Sequence, residues 1–318
     1  MKWFIGCVGA ILVLSVVALP QVVQTPSNLI GPCWVVNVKD GDTFKVRLPD
    51  ESVIDVRYMG INAPELEDEL RLGPESQEEN KEILMRGPIW LDLEAVGEGF
   101  LSGRDGRVLA HVFVETDNGD LILVQEQLIR EGLGMLDLRG IIDRDLRSGA
   151  FPIRYADQLI AAQIDAASER RGLWALPGFS PSRDLVIAAI KFWGYEETVW
   201  LLNRGSTPIE LAGNWVLKDT RAMEHEGSRN TLEFRGYFGP SCQLPTGGGV
   251  KIYTGPDTPD EKRGTCTGCG TEQIELWWFG NSVWDNTGDT CFLFAPDGSE
   301  YCHYTYPPLK YVEEEQNN

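Results

Sequence analysis

Apolar and polar residues alternate from Val35 to Leu48 and again from Val53 to Met59, with Pro49-Asp50-Glu51-Ser52 between the two runs. A period of two sends successive side chains to opposite faces of a strand, and a turn cluster between two such runs makes a hairpin. The chain is therefore committed to an antiparallel start with one face buried. The next hundred or so residues add further strands and bring in helices. Gly73-Pro74-Glu75 opens a stretch of helical composition to Met85, Ile89–Leu93 and Val108–Val114 read as strands, and Asp117-Asn118-Gly119-Asp120 is a turn before Leu121–Leu123. Helices are expected from Val124 to Glu131, stopping at Gly132, and from Tyr155 to Glu169. Strands first, with helices inserted and appended, predict a small β-barrel of the OB type packed by helices, an α+β unit.

The 318 residues are enough for two domains. Leu176–Pro181, with two prolines and a glycine, marks the boundary. Beyond it Leu185–Phe192, Thr198–Leu202, Asn214–Leu217, Gly249–Tyr253 and Cys291–Phe294 are short strand-like runs separated by turn residues, with no helix expected between them. That grammar predicts an all-β sandwich. The expected organisation is a polar spacer over 21–32, a first domain over 33–178, a linker over 179–184, a second domain over 185–306 and an acidic tail over 307–318.

The first 20 residues differ from the rest. Trp3–Leu19 carries no charge, and Val16 and Ala18 offer small side chains at cleavage positions, so the segment reads as an export signal, with an uncleaved membrane anchor as the alternative. The protein is expected to be extracellular or anchored at the cell surface. Outside the cell Cys33, Cys242, Cys266, Cys269, Cys291 and Cys302 are expected to form disulfides, with Cys291 and Cys302 facing each other across a hairpin about Pro296-Asp297. A zinc site on Cys266 and Cys269, with Cys242 and His303, is the alternative reading of that cluster.

The net charge of −20 works against binding a polyanion through a general basic field. Residues 33–178 hold 28 acidic and 16 basic side chains, a balance of −12. Any grip on phosphate must be local. Asp40-Gly41-Asp42-Thr43, Arg57, Asn62-Ala63-Pro64-Glu65 and Gly106-Arg107 supply such a set. Carboxylates suit a hard cation, a carboxylate beside that cation can take a proton from water, and guanidinium groups can hold two phosphate oxygens at once. The combination points to metal-dependent phosphodiester hydrolysis.

With Gly73-Pro74-Glu75, Gly103-Arg104-Asp105-Gly106-Arg107-Val108-Leu109-Ala110 and Leu128-Ile129-Arg130-Glu131-Gly132-Leu133, these residues resemble the thermonuclease (staphylococcal nuclease-like) family from Val35 to Trp174. The resemblance implies an OB-type barrel and Ca²⁺-dependent cleavage of DNA or RNA. It gives Arg57, Glu65 and Arg107 the catalytic places, with Glu65 as general base. Asp42, Asn62 and the main-chain carbonyl of Ala63 take the metal places. Three departures stand out: Asn62 where aspartate is usual, Asp105 where a phosphate-binding tyrosine is common, and no tyrosines in Met135–Gly140 to pack on a substrate nucleotide. The alternative implied by those departures is an extracellular binding protein with a weak or inactive site.

Further along, Val199-Trp200-Leu201-Leu202-Asn203-Arg204-Gly205, Leu211–Asp219, Leu244-Pro245-Thr246-Gly247, Val283–Thr290 and Ala295-Pro296-Asp297-Gly298 resemble the lamin-tail domain family. That resemblance implies an immunoglobulin-like sandwich, with its tryptophans in core and turn positions, and a role in binding or tethering to a cell-surface or extracellular partner. No convergent catalytic set is expected in it.

Overall fold

A computed structural model describes residues 29–68, 71–93, 95–96, 99–100, 106–138, 153–176, 183–192, 196–239, 242–256, 263–264, 273–279, 282–285 and 288–306. The expected export segment, the acidic tail, Asp105, Cys266 and Cys269 lie outside the described residues. Among those described, no helix is long and apolar enough to cross a membrane.

The N-terminal half is built on β1 (Ile30–Val38), β2 (Thr43–Arg47), β3 (Val53–Tyr58), β4 (Gly60–Asn62), β5 (Ile89–Leu93), β6 (Val108–Glu115), β7 (Leu121–Leu123) and β8 (Met135–Asp137). Three helices accompany them: α1 (Gly73–Leu84), α2 (Val124–Arg130) and α3 (Ala156–Glu169). The sheet runs β3-β2-β1-β5-β6-β7, and β3 also pairs in parallel with β6, which closes five strands into a barrel. Alternation explains the closure. Phe44, Val46, Val56, Tyr58, Leu91 and Val112 all point inward and are buried, while the intervening residues of β2 and β3 face out. The small β4–β8 pair and the helices complete the core.

Two boundaries differ from expectation. Residues 30–32 belong to β1 and not to a spacer, because Ile30 pairs with Leu91 and Cys33 with Ile89 on β5. Pro32 hides this strand in the sequence. The single run expected over Val35–Leu48 is also two strands, parted at Lys39–Asp42 by a tight turn in which the Lys39 and Asp40 N–H groups donate to Thr43 O at 2.9 and 3.3 Å.

Past residue 183 the described chain forms two main sheets. One has β9 (Leu185–Lys191), β10 (Glu197–Asn203), β13 (Gly249–Thr254) and β14 (Gln273–Phe279) side by side, with β13 and β14 parallel. The other has β12 (Thr231–Glu233), β11 (Val216–Lys218), β15 (Asp289–Phe294) and β16 (Glu300–Tyr306), all antiparallel. A short helix that was not expected, α4 (Thr220–Glu224), comes after β11; Asp219 caps it by accepting from Ala222 N at 2.7 Å.

The cysteine expectation needs correction. Cys33, Cys291 and Cys302 are buried free thiols, and Cys242 is disulfide-bonded. β15 and β16 do form a hairpin, but its register sets Cys291 opposite Tyr304 and Cys302 opposite Leu293, so the two thiols are diagonal neighbours. An irregularity at Leu293/Phe294 shifts the pairing away from symmetry about Pro296-Asp297. Burial pushes the Cys33 thiol up to about 11 and Cys302 up to about 12, which keeps both protonated and unreactive.

α3 joins the two halves. Gln163 is fully buried: its Oε1 accepts from Leu136 N at 2.7 Å, and its Nε2 donates to Ala188 O at 2.7 Å on β9 and to the Tyr304 hydroxyl at 3.1 Å on β16. Replacing it strands three buried partners at once, each costing about 1–3 kcal/mol when left unpaired. Gln163→Leu is therefore expected to lower the unfolding free energy by about 3 kcal/mol, read from urea denaturation; a change below about 0.5 kcal/mol would show that the junction contributes nothing to folding.

Candidate active site

The turn between β1 and β2 is clamped onto α1 by polar side chains. Asn80 Nδ2 donates to Asp40 O at 2.9 Å, Gln77 Nε2 donates to Lys39 O at 2.8 Å, and the Tyr58 hydroxyl donates to Asn80 Oδ1 at 2.6 Å. Within the turn, Asp40 Oδ1 accepts from Asp42 N at 3.0 Å. Gly41 is required by space: a Cβ there would lie 1.9 Å from Ser76 Oγ and 2.6 Å from Ala63 Cβ. The clamp drives the Asp42 side chain entirely out of water.

Asp42 then organises what surrounds it. Its Oδ2 accepts from Ala63 N at 2.7 Å, while its Oδ1 accepts from Thr43 Oγ1 at 3.1 Å and from Arg57 Nη1. Arg57 Nη2 donates to Asn62 Oδ1 at 2.7 Å, and Arg107 Nη1 donates to Thr43 Oγ1 at 2.9 Å. Strand register makes this possible, because Thr43 stands opposite Arg57 on β3 and Val108 opposite Val56, so Arg107 enters one residue before the β6 pairing begins. Both arginines are thus connected through Thr43 and Asp42. Thr43 is the bridge between them.

Glu65 comes after Pro64 at the end of this arrangement and is half-buried. Burial raises its carboxyl above the ordinary value, Asp40 and Glu67 add to the rise, and the Arg57 and Arg107 guanidinium groups pull against it. A carboxylate held up in this way is suited to accept a proton. Both expected catalytic arginines thus act on the Glu65 carboxyl.

The expected metal residues are close together but engaged differently. Asp42 and Asn62 both turn a side-chain oxygen to Arg57, and Ala63 donates its N–H to Asp42. Among the described residues no three His, Cys, Asp or Glu side chains cluster closely enough to hold a metal. The oxygens nonetheless fit a hard cation in kind, since they already converge on a positive group beside Asp40 and Glu65. They are fewer than the six to eight that Ca²⁺ takes, so water or substrate phosphate has to supply the remainder.

Two predictions arise from this. Asn62→Asp adds a carboxylate beside Asp42 and is expected to tighten Ca²⁺ binding by about 10-fold in calorimetric titration; unchanged affinity would show that position 62 does not face the ion. The second concerns pH. Burial, reinforced by Asp40, pushes the Asp42 carboxyl up to about 7 against the pull of Arg57 and the Ala63 N–H. The folded state then holds this proton more tightly than the unfolded chain does, so Asp42 favours folding at low pH and that contribution is lost as pH rises from near 3.8 to about 7. Cation and proton compete for the same carboxylate, so apparent Ca²⁺ affinity is expected to climb with pH up to about 7 and then level off. A pH-independent affinity between 5 and 8 would contradict it.

Sequence reasoning missed Ser76, Gln77 and Asn80. Their signal was present: Ser76 and Asn80 lie four residues apart on the same side of α1 as buried Ile83 and Leu84. Polar residues on the inward face of a helix mark what that face has to hold.

The order of Arg57, Asn62, Glu65 and Arg107, placed on β3, β4 and the approach to β6 of a five-strand barrel, can be compared with known families. Residues 55–176 match the family model described as Staphylococcal nuclease homologue. The first domain is thus similar to the staphylococcal nuclease family. The match spans 122 of the 318 residues, counted from 55 to 176 inclusive. It contains Arg57, Asn62, Ala63, Glu65 and Arg107, while Asp42 and Thr43 lie ahead of it and are joined to the nuclease-like set by the contacts above. No curated protein matches the chain.

Proposed function

We propose that the protein is an exported, Ca²⁺-dependent nuclease that hydrolyses phosphodiester bonds of DNA or RNA. The observation that carries this reading is the Arg57–Asp42–Thr43–Arg107 network with Glu65 beside it. Asp42 and Asn62 would hold the cation, with the Ala63 carbonyl as the family resemblance assigns. When bound, Ca²⁺ supplies positive charge next to the phosphate and sharpens a nearby water as a nucleophile. Arg57 and Arg107 hold non-bridging phosphate oxygens and offset the charge that grows as the fifth oxygen adds. Glu65 takes the proton of the attacking water.

The second domain, over 185–306, is proposed to be a lamin-tail module with an immunoglobulin-like sandwich that binds a cell-surface or extracellular partner. Its two main sheets support that reading. Export rests on the charge-free segment Trp3–Leu19. The deciding experiment incubates the mature protein with plasmid DNA and with RNA, with Ca²⁺ and with EDTA. Degradation that needs Ca²⁺ supports the nuclease; none, or degradation indifferent to EDTA, removes it. One observation favours a second reading, a binding protein with a retired site: Arg57 occupies both Asp42 and Asn62. That reading predicts no turnover but retained partner binding by Glu65→Gln protein.

A further inference from the structure

The outward face of the first three strands carries residues that the catalytic network does not use. Because opposed residues share a face, the register defines three successive rungs leading away from the site. Thr43 stands opposite Arg57; two residues on, Lys45 is opposite Asp55 and Asn37; two further on, Arg47 is opposite Val53 on β3 and Trp34 on β1. Trp34 is 53% exposed and Val53 46%, so this rung leaves two apolar side chains open to water. A tryptophan ring left half in water opposite an arginine, on the strand that runs into the Asp40–Asp42 turn, has no part in the core.

From the structure we infer that this face is a binding track for single-stranded nucleic acid, with Trp34 as a stacking platform for an unpaired base and Lys45 and Arg47 as contacts for the intervening phosphates. The inference rests on the nuclease reading and names the form of its substrate. Thr43 to Arg47 spans four strand steps, about 13 Å, the length of roughly four stacked nucleotides. The track is continuous with the Arg57/Thr43 rung, so a strand held on it would run into the site. Lys45 lies 2.9 Å from Asp55 and Arg47 3.8 Å from Glu51, but both pairs are open to water and are weak enough to yield to phosphate. Stacking tolerates any base because every base has a π face, and it requires that the base be unpaired. The track thereby supplies a grip that Met135–Gly140, without tyrosine, does not offer.

The test uses full-length Glu65→Gln protein with Ca²⁺, so that chemistry is blocked, and reads fluorescence anisotropy of a labelled five-nucleotide DNA, the matching duplex and a mononucleoside bisphosphate. Adding Trp34→Ala is expected to weaken five-nucleotide binding about 10-fold and adding Trp34→Phe to weaken it much less, with the bisphosphate unaffected. The single strand is expected to bind better than the duplex. Met85→Ala, another exposed apolar residue at the C-terminal end of α1, is the control and should change nothing. Equal affinity with and without Trp34, or equal weakening for both small and long probes, overturns the track. Cleavage by the wild-type protein without any Trp34 effect leaves the nuclease and removes the track; Trp34-dependent binding without wild-type cleavage does the reverse; absence of both removes both.

Discussion

Glu65→Gln is expected to slow Ca²⁺-dependent phosphodiester cleavage by about 10³-fold while leaving the protein folded, the range over which a positioned base contributes. Glu65 is half-buried and its carboxylate accepts no hydrogen bond from another described residue, so replacing it by an isosteric amide removes proton-accepting ability and little else. The raised carboxyl makes the pH consequence specific. Activity should fall at acid pH as Glu65 gains its proton, with the inflection above the ordinary carboxylate value of 4.5, and the residual activity of Glu65→Gln should lack that inflection. Single-turnover rates from pH 4 to 8 would check both. A Glu65→Gln protein within about three-fold of wild type would assign the proton to another group.

Arg107→Lys is the second large effect, with an expected loss of about 10²-fold in kcat and a smaller change in KM. Lysine keeps the charge but loses the planar fork, and Arg107 already commits one N–H to Thr43 at 2.9 Å. A lysine ammonium cannot keep that bond and also present two parallel donors to phosphate. If kcat survives the substitution, Arg107 acts as a point charge and the bridge through Thr43 is structural. Circular dichroism of the variant would separate loss of chemistry from loss of fold.

The barrel was legible because its strands have one wet face and one dry face. Thr43, Lys45 and Arg47 alternate with Phe44 and Val46, and a period of two survives any tertiary context that keeps one side in water. β14 was not legible, since Gln273–Phe279 carries Glu275 and Trp277 on one face and buried Ile274, Leu276 and Trp278 on the other, so bulky aromatics on both faces mask the alternation. Its partner β13 lies parallel to it, and no local turn signal announces a parallel pairing. Register escaped as well: nothing in the local sequence announces the irregularity at Leu293/Phe294 that offsets Cys291 from Cys302.

Within the candidate site, the residues that touch substrate in the proposed reaction were readable from motif order. Those that hold them were not. Thr43 and Asn80 act through one hydroxyl and one amide, and their meaning appears only when β3 brings Arg57 opposite Thr43 and α1 reaches back over the Asp40 turn. The break at Lys39–Asp42 within one long alternating run was the visible trace of that arrangement.

The amide of Gln163 has a consequence for how the protein works at a distance. One side chain reads the backbone of β8, the backbone of β9 and a hydroxyl on β16, so the C-terminal sheets are not a bead on a string. Whatever surface they hold, the nuclease-like site is presented at a fixed offset and bearing from it. Its reach is that of a ruler, and lengthening the chain at 177–182 would not by itself extend it.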